Sequence, residues 1–406
     1  MKILIISYWF LPSSIPNAKR PFYFAEAFLK EGWSVDVVTS YAGMTTLQEE
    51  LTSHTQLNIK RIKDPIDSLC QNPNSPIKML IWRFLRAILW PDELVIWSFK
   101  ALFKTQFKDY DRIILCLRPA SFLFTFIKKI SDRWILDYSE VFYPVHAEIR
   151  RSPVSRLLSP LFIKLQQHAL KKCLWSFFTS KKAQQEYVQR KIVDQKKTTY
   201  LPLFFDEKAY LNIPPPKNKF IIAYFGLFGY QNNIRSPEPF FKALNLFLSK
   251  NQEARSKTTF IFFGRCENYQ AVMQLVKEYE LQDVVEMNPP VPYKKYLELL
   301  QTATALLLLV SNKHNLFVPS KMLDYFGAQR PILGFVPPDS EVSSMLKDAN
   351  MNEYISSEKD AECCAKNIET LWNKWKEGLP LCENSKTKQW TTSFQTSRIL
   401  DIIKQK

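Results

Sequence analysis

The sequence predicts an α/β protein built from two doubly wound, Rossmann-like domains. Short runs of β-branched, leucine and aromatic residues alternate with longer amphipathic stretches, the pattern of parallel strands joined by crossover helices. The alternation is interrupted once, from Phe205 to Lys219, where Pro214, Pro215 and Pro216 stand in succession, and it resumes at Phe220. With 406 residues, 46% of them hydrophobic, each half is long enough to bury a core of its own.

The first predicted strand is 2–8. Ile3 to Ile6 is the continuous apolar run of a strand covered on both faces, and Pro12, with no small-residue cleavage pattern nearby, separates it from a signal peptide. Pro21 to Lys30 reads as a helix ended by Gly32. Strands follow at 34–39, 57–61, 112–117, 133–137, 175–179 and 198–201. The second alternation has strands at 220–225, 259–263, 284–287, 304–309 and 331–335. Helices lie near 237–250, 268–280, 293–302, 320–328 and 361–376, and a final one at 394–404. These elements give a first domain at 1–205, a linker at 206–219, a second domain at 220–385, and a C-terminal helical segment, 386–406, expected to pack back on the first domain. Open parallel sheets bind ligands beyond the carboxyl ends of their strands, which directs attention to the loops after residues 7, 117, 137, 226, 264, 310 and 335.

Composition excludes several classes. Eight glycines, with no G-x-x-x-x-G-K-[ST] and no G-x-G-x-x-G after a strand, argue against P-loop nucleotidases and ordinary dinucleotide dehydrogenases. Seven cysteines without a C-x-x-C pair read as reduced core residues of a cytoplasmic protein. The longest uncharged apolar run, Phe220 to Tyr230, is too short to span a bilayer. The four histidines show no metal-ligand spacing. Asp109-Tyr-Asp111 forms a D-x-D triplet, but it precedes a strand, the wrong end for a site, and reads as the end of a helix and a turn. The net charge of +16 is uneven, with +13 in residues 1–200. One half is therefore expected to meet something anionic, and nucleic acid, a membrane surface and phosphorylated substrates all fit.

The segment Val318 to Phe335 carries the most chemistry. It follows the buried strand at 304–309, Pro319 suits a first helical position, and Ser320 and Lys321 open the first turn. Free backbone N–H groups at a helix start, with a lysine beside them, make a ready diphosphate site. Asp324, one turn further in, can accept hydrogen bonds from the vicinal hydroxyls of a ribose. A capped core helix whose aspartate complements the macrodipole explains the same residues equally well.

The opening Lys2 to Pro12, with Arg20 to Ala25 and Val35 to Thr39, resembles the start of family-4 glycosyltransferases of the GT-B fold, the bacterial surface-polysaccharide type. The segments Phe220 to Pro239 and Val318 to Phe335 resemble the family in the same order along the chain. The resemblance implies two Rossmann-like domains with parallel sheets facing across a cleft. It also implies a nucleotide-sugar donor, UDP- or GDP-linked, in the second domain, no further cofactor, and metal-independent transfer with retention. In the family two glutamates eight positions apart contact sugar and ribose; here those positions are Leu316 and Asp324, leaving Asn315 or His314 as the sugar contact. The family's arginine after the first strand of the second domain falls at Leu227, and its lysine corresponds to Arg235. Arg235 and Lys321 are thus the expected cations on the departing diphosphate near Gly226, with Arg265 a weaker third. On the acceptor side the resemblance places Asp137 and Glu140, able to orient or deprotonate a hydroxyl, together with Arg20, Arg118, Ser121 and His146. Asp137 and Glu140 fit a helix N-cap role equally well.

Ile77 to Trp90 sets Lys78, Arg83 and Arg86 among large apolar residues without glycine or proline, a composition able to lie at a membrane interface or to pack on its own domain. A second basic stretch, Arg150, Arg151, Arg156, Lys164, Lys171, Lys172, Lys181 and Lys182, reads as a long helix. The expected partners are a nucleotide sugar, a saccharide or lipid-linked saccharide acceptor and an anionic membrane surface, with no nucleic acid. The expected location is the cytoplasm, peripheral to the inner face of the membrane. Two rivals stand beside this reading: a non-catalytic GT-B-like subunit whose donor site has decayed, and a sugar-nucleotide epimerase of the same fold.

Overall fold

The computed structural model describes residues 1–13, 15–43, 57–66, 76–139, 157–211, 213–229, 235–312, 315–357 and 359–405. The chain divides into two compact units: unit 1 comprises Met1–Leu203 and Phe394–Lys406, and unit 2 comprises Phe204–Ser393. The charge divides with them. Unit 1 carries 33 Lys and Arg against 18 Asp and Glu, a net +15, and unit 2 only +1.

Unit 1 is built on seven parallel strands: β1 (Lys2–Ile6), β2 (Ser34–Ser40), β3 (Asn58–Ile62), β4 (Arg112–Cys116), β5 (Trp134–Tyr138), β6 (Trp175–Phe178) and β7 (Thr198–Tyr200), in the order β3-β2-β1-β4-β5-β6-β7. Ile3 to Ile6 of β1 and Trp134 to Tyr138 of β5 are buried throughout, as central strands covered on both faces must be. The order reverses between β1 and β4, whose register runs from Ile3 opposite Arg112 to Ile6 opposite Leu115. Five of the helices are α1 (Lys19–Lys30), α2 (Pro76–Ile88), α3 (Val95–Phe103), α4 (Ser121–Phe126) and α5 (Ser159–Lys172). The second basic stretch is not one helix. Lys171 and Lys172 end α5, β6 intervenes, and Lys181 opens α6 (Lys181–Gln189); Arg150, Arg151 and Arg156 lie outside the described residues. Asp109 to Asp111 forms a turn only, because α3 already ends at Phe103, and Asp111 accepts the Lys2 N–H at 2.8 Å, tying the amino ends of β1 and β4.

Unit 2 has six parallel strands: β8 (Phe220–Phe228), β9 (Thr258–Cys266), β10 (Val285–Asn288), β11 (Ala305–Leu309), β12 (Ile332–Phe335) and β13 (Ile355–Ser356), in the order β10-β9-β8-β11-β12-β13. The two-residue β13 gave no sequence signal. One face is covered by α7 (Glu238–Leu248), α9 (Tyr269–Glu278) and α13 (Ala361–Lys376), whose Phe240, Leu244, Val272, Ile368 and Trp372 join the strand residues in one core. Between α7 and β9 runs α8 (Gln252–Lys257), and α10 (Tyr293–Thr302), α11 (Ser320–Ala328) and α12 (Glu341–Asp348) complete the crossovers.

The proline-rich segment before β8 groups with unit 2. Its Leu211 N–H donates to the Gln301 side chain at 2.6 Å, and the Pro216 carbonyl accepts from the Trp375 indole at 3.0 Å. The last helix, α14 (Thr392–Gln405), groups with unit 1 from Phe394 on. There Arg398 donates to the Tyr200 carbonyl at 3.1 Å, and Lys404 pairs with Glu31.

Candidate functional site

In unit 2 the sheet order reverses between β8 and β11, which opens a crevice at their carboxyl ends. The end of β8 is shaped by two glycines in register, Gly226 and Gly264. Gly226 has φ +131°, and a Cβ on Gly264 would stand 1.7 Å from the Gly226 carbonyl oxygen, so only glycine lets the two strand ends close. A Cβ on Gly226 would lie 3.5 Å from the Lys321 ammonium.

Lys321 enters from α11. Pro319 is the N-cap (φ −66°, ψ 128°) rather than the first helical residue, so Ser320 and Lys321 take the first two helical positions. No side chain caps this helix, and its first N–H groups have no intrahelical acceptor. The Lys321 Nζ donates to the Phe225 carbonyl at 3.1 Å and lies 3.7 Å from the centroid of the Tyr224 ring. Burial holds its pKa well below the ordinary lysine value, and the like charge of Arg235 pushes the same way. Neither cation forms a salt bridge among the described residues.

Arg235, at φ 61°, sits in the left-handed region just ahead of α7. It lines a cavity of about 350 Å³ where the carboxyl ends of β11 and β12 meet the starts of α7 and α13. Ser236, Ser311, Lys242 and Lys359 also line it, with Glu238 a carboxylate on the wall. Arg265 is exposed near the end of β9, and its register partner on β8 is Leu227, the position where the resemblance lacks its first cation. Asn315 is exposed, and its carbonyl accepts the Glu341 N–H at 2.7 Å. His314 lies outside the described residues.

Asp324 is ringed by tyrosines. Its Oδ1 accepts from Tyr210 at 3.2 Å and Tyr293 at 3.5 Å, and its Oδ2 from Tyr296 at 3.1 Å. Burial, then the Asp324 carboxylate, pushes the Tyr296 phenol well above its usual pKa. The Tyr210 ring packs where a Cβ on Gly327 would come within 2.2 Å of it. The sequence reading missed these tyrosines and Tyr224. Tyr293 and Tyr296 carried a usable signal, an i, i+3 pair that puts both hydroxyls on one helix face. Tyr210, in an aperiodic segment, carried none.

Unit 1 reverses its strand order between β1 and β4. There the Arg118 guanidinium lies over the Trp9 ring, 5.2 Å from its centroid. Ser121, expected among the acceptor contacts, is fully buried: its Oγ lies 2.8 Å from that of Ser98, and its N–H donates to Asp92 at 3.0 Å. Burial pushes the Asp92 carboxyl up to about 6 against the pull of that hydrogen bond. Arg20 and Asp137 find each other. Arg20 Nε lies 2.9 Å and Nη2 2.8 Å from the two Asp137 oxygens, with 5% and 1% of the side chains exposed. Arg20 also donates to the Pro202 and Leu201 carbonyls at 2.7 and 3.0 Å. Glu140 and His146 lie outside the described residues.

No family model and no curated protein sequence matches the chain. Solved structures do match over its whole length. Anabaena Alr3699/HepE, solved with UDP and glucose, is 11% identical at a TM-score of 0.66, covering 100% of both chains. WaaG, a glycosyltransferase involved in lipopolysaccharide biosynthesis, is 13% identical at 0.60 and covers 99% of both. A putative UDP-N-acetylglucosamine 2-epimerase from Listeria monocytogenes is 11% identical at 0.57, covering 100% of this chain and 96% of that one. Two parallel sheets of seven and six strands in this order, matched from end to end by such structures, are the GT-B fold.

Proposed function

We propose that the protein is a glycosyltransferase that takes a sugar from a UDP- or GDP-linked donor held by unit 2 and passes it to a saccharide, free or lipid-linked. The observation that carries this reading is Lys321, a cation held against a carbonyl and an aromatic face at the β8–β11 switch point, with Arg235 near enough to perturb it and no anion pairing with either among the described residues. A desolvated lysine beside a half-buried arginine is unfavourable until an anion joins them, and a diphosphate is the anion that the start of α11 suits. The likeness to a structure holding UDP and glucose supports the same donor class.

In the reaction the bond from the sugar's anomeric carbon to the diphosphate oxygen breaks and a bond to the acceptor oxygen forms. Lys321, Arg235 and the first N–H groups of α11 take up the charge on the leaving diphosphate, in the place a divalent metal occupies in other transferases. Gly226 keeps the strand end low enough for the phosphates to approach. Asp324, held by its tyrosines, offers carboxylate lone pairs to the ribose, and Asn315 or His314 is the candidate sugar contact. Arg265 supplies a further cation beside Leu227. The acceptor proton passes to a carboxylate beyond β5, for which Glu140 is the candidate, because Asp137 is taken up by Arg20. Arg118, on Trp9, is the acceptor-side cation, with His146 a further contact. Retention of the anomeric configuration and a role in capsule, exopolysaccharide or O-antigen synthesis belong to the same proposal, and the likeness to WaaG supports that setting.

Isothermal titration with a panel of UDP- and GDP-sugars, then product analysis with the bound donor and a saccharide acceptor, tests it. Binding followed by sugar transfer is expected. Failure to bind any donor would favour a non-catalytic subunit, and conversion of the free donor to its epimer would replace transfer with epimerisation.

A further inference from the structure

Unit 1 exposes an apolar surface that its own core does not use. On α2, Ile77, Leu80, Ile81, Phe84 and Ile88 recur at i, i+3, i+4, i+7 and i+11 and are 70, 69, 43, 62 and 48% exposed. They fill one stripe within an arc of roughly 100°, while Trp82, Leu85 and Leu89 on another face are half-buried. An amphipathic helix ordinarily turns the richer stripe inward; here five large apolar residues face out.

The stripe does not stand alone. Trp90, just past α2, packs edge-on against Phe124 of α4 at 5.4 Å and Phe162 of α5 at 6.2 Å. Phe99 of α3 meets the same Phe124 at 5.9 Å and stacks on Phe103, which is 82% exposed. Leu157 and Leu161, at the start of α5, are 79 and 44% exposed. One aromatic cluster, buried at Phe162 and half-buried at Trp90 and Phe124, therefore ties α2, α3 and α5 together, and the apolar residues that these helices expose form the patch. Cations rim it: Lys78 and Arg83 on either side of the α2 stripe, Lys100 on α3 with Lys104 just after it, and Lys164 on α5. The acidic Asp92 and Glu93 stand in the loop between α2 and α3, and two hydrogen bonds to Asp92 come from within the unit.

We propose that this patch docks the protein on the surface of an anionic lipid bilayer, with α2 lying in the plane of the headgroups. Charge complementarity selects this occupant. Unit 1 carries +15, and a second copy of the chain would bring an equally cationic rim against this one in a two-fold contact, whereas an anionic leaflet neutralises the rim as it takes up the stripe. No helix among the described residues is long and apolar enough to cross a membrane, so the surface is one on which the protein lies. The inference is independent of the glycosyl-transfer reading, since it uses no donor-site residue.

The test is cosedimentation of the full chain with vesicles of phosphatidylcholine alone or mixed with phosphatidylglycerol. Wild type is expected in the pellet with the mixed vesicles and mostly in the supernatant with the neutral ones, the binding weakening as salt is added. Lys78→Gln and Arg83→Gln should each lower partitioning about fivefold, and Leu80→Ser with Phe84→Ser about tenfold or more. Leu379→Ser, an exposed apolar residue of unit 2, should change nothing. Thermal unfolding of each variant identifies any that fail to fold, and Arg83→Gln, altered at an exposed side chain, keeps the question answerable. Equal partitioning of all variants would overturn the proposal. So would a concentration-dependent dimer in sedimentation velocity, without vesicles, that the Leu80 and Phe84 changes abolish, since a second copy would then own the patch.

Discussion

Arg20 and Asp137, 117 residues apart in sequence, form a two-pronged ion pair inside unit 1, and Arg20 donates two further hydrogen bonds to the carbonyls of Leu201 and Pro202. One guanidinium thus pins α1, the carboxyl end of β5 and the chain leaving β7. Removing one partner leaves the other charge buried and unmatched, which costs about 3–5 kcal/mol. Arg20→Ala or Asp137→Ala should therefore lower Tm by about 10 °C. The double variant should be less destabilised than the sum of the two, and a thermal double-mutant cycle reads the difference.

Lys321 should behave in the opposite way. Its ammonium is out of water with another cation nearby, so Lys321→Met is expected to raise stability by about 1–2 kcal/mol while lowering turnover about a hundredfold, as loss of one leaving-group contact does. Lys321→Arg should not restore full activity, because a larger, delocalised guanidinium does not place its charge at the point that the compact Lys321 ammonium occupies. Thermal unfolding and steady-state rates of the same two variants separate the effects.

The depressed Lys321 pKa has a pH signature. The unfolded chain binds this proton up to the ordinary lysine value of 10.5, while the folded chain releases it well below that. Between the two values the unfolded state holds more protons, so stability rises with pH across that window. Affinity for a nucleoside diphosphate should fall over the same range as the cation is lost. Both slopes should be present in wild type and absent from Lys321→Met; parallel profiles would remove Lys321 from the anion site.

Gly264→Ala should cost about 3 kcal/mol or more, since a Cβ 1.7 Å from the Gly226 oxygen forces β8 and β9 apart. Gly378→Ala, where φ is +69° but nothing lies within 4 Å, should cost only about 1 kcal/mol. Denaturant midpoints for the two variants compare a clash with a purely conformational penalty.

Tyr296→Phe deletes one of the hydroxyls that aim Asp324, at a cost of about 1 kcal/mol in stability. If Asp324 meets the ribose, the same change should raise KM for the donor with little effect on kcat, and Asp324→Ala should raise it further. A fall in kcat alone would place Asp324 in the chemistry instead.

The strand pattern was legible in the sequence because parallel strands covered on both faces must be written as continuous apolar runs: Ile3 to Ile6 and Ala305 to Leu309 announced themselves. The start of α11 was legible through Pro319 and Lys321, and the expected helix at 320–328 is the one observed, with Pro319 as its N-cap because proline suits that position nearly as well as the first turn. Asp137 misled, because a carboxylate at a strand end has the same sequence signature whether it faces a substrate or an arginine from a distant helix. Tyr210 and Tyr224 were invisible, since a tyrosine in an aperiodic segment or an apolar strand announces only hydrophobicity.

The sequence by itself determined the α/β class, the two alternating halves and the concentration of charge in the first, since each follows from local pattern or from counting. Only the tertiary structure decided which charges meet. Arg20 with Asp137, Lys321 with the Phe225 carbonyl and Asp324 with three tyrosines are contacts between distant segments, fixed by strand order and register. The same holds for the stripe of α2: its apolar period was written in the chain, but whether it faced the core depended on whether Trp82, Leu85 and Leu89 had already taken that place.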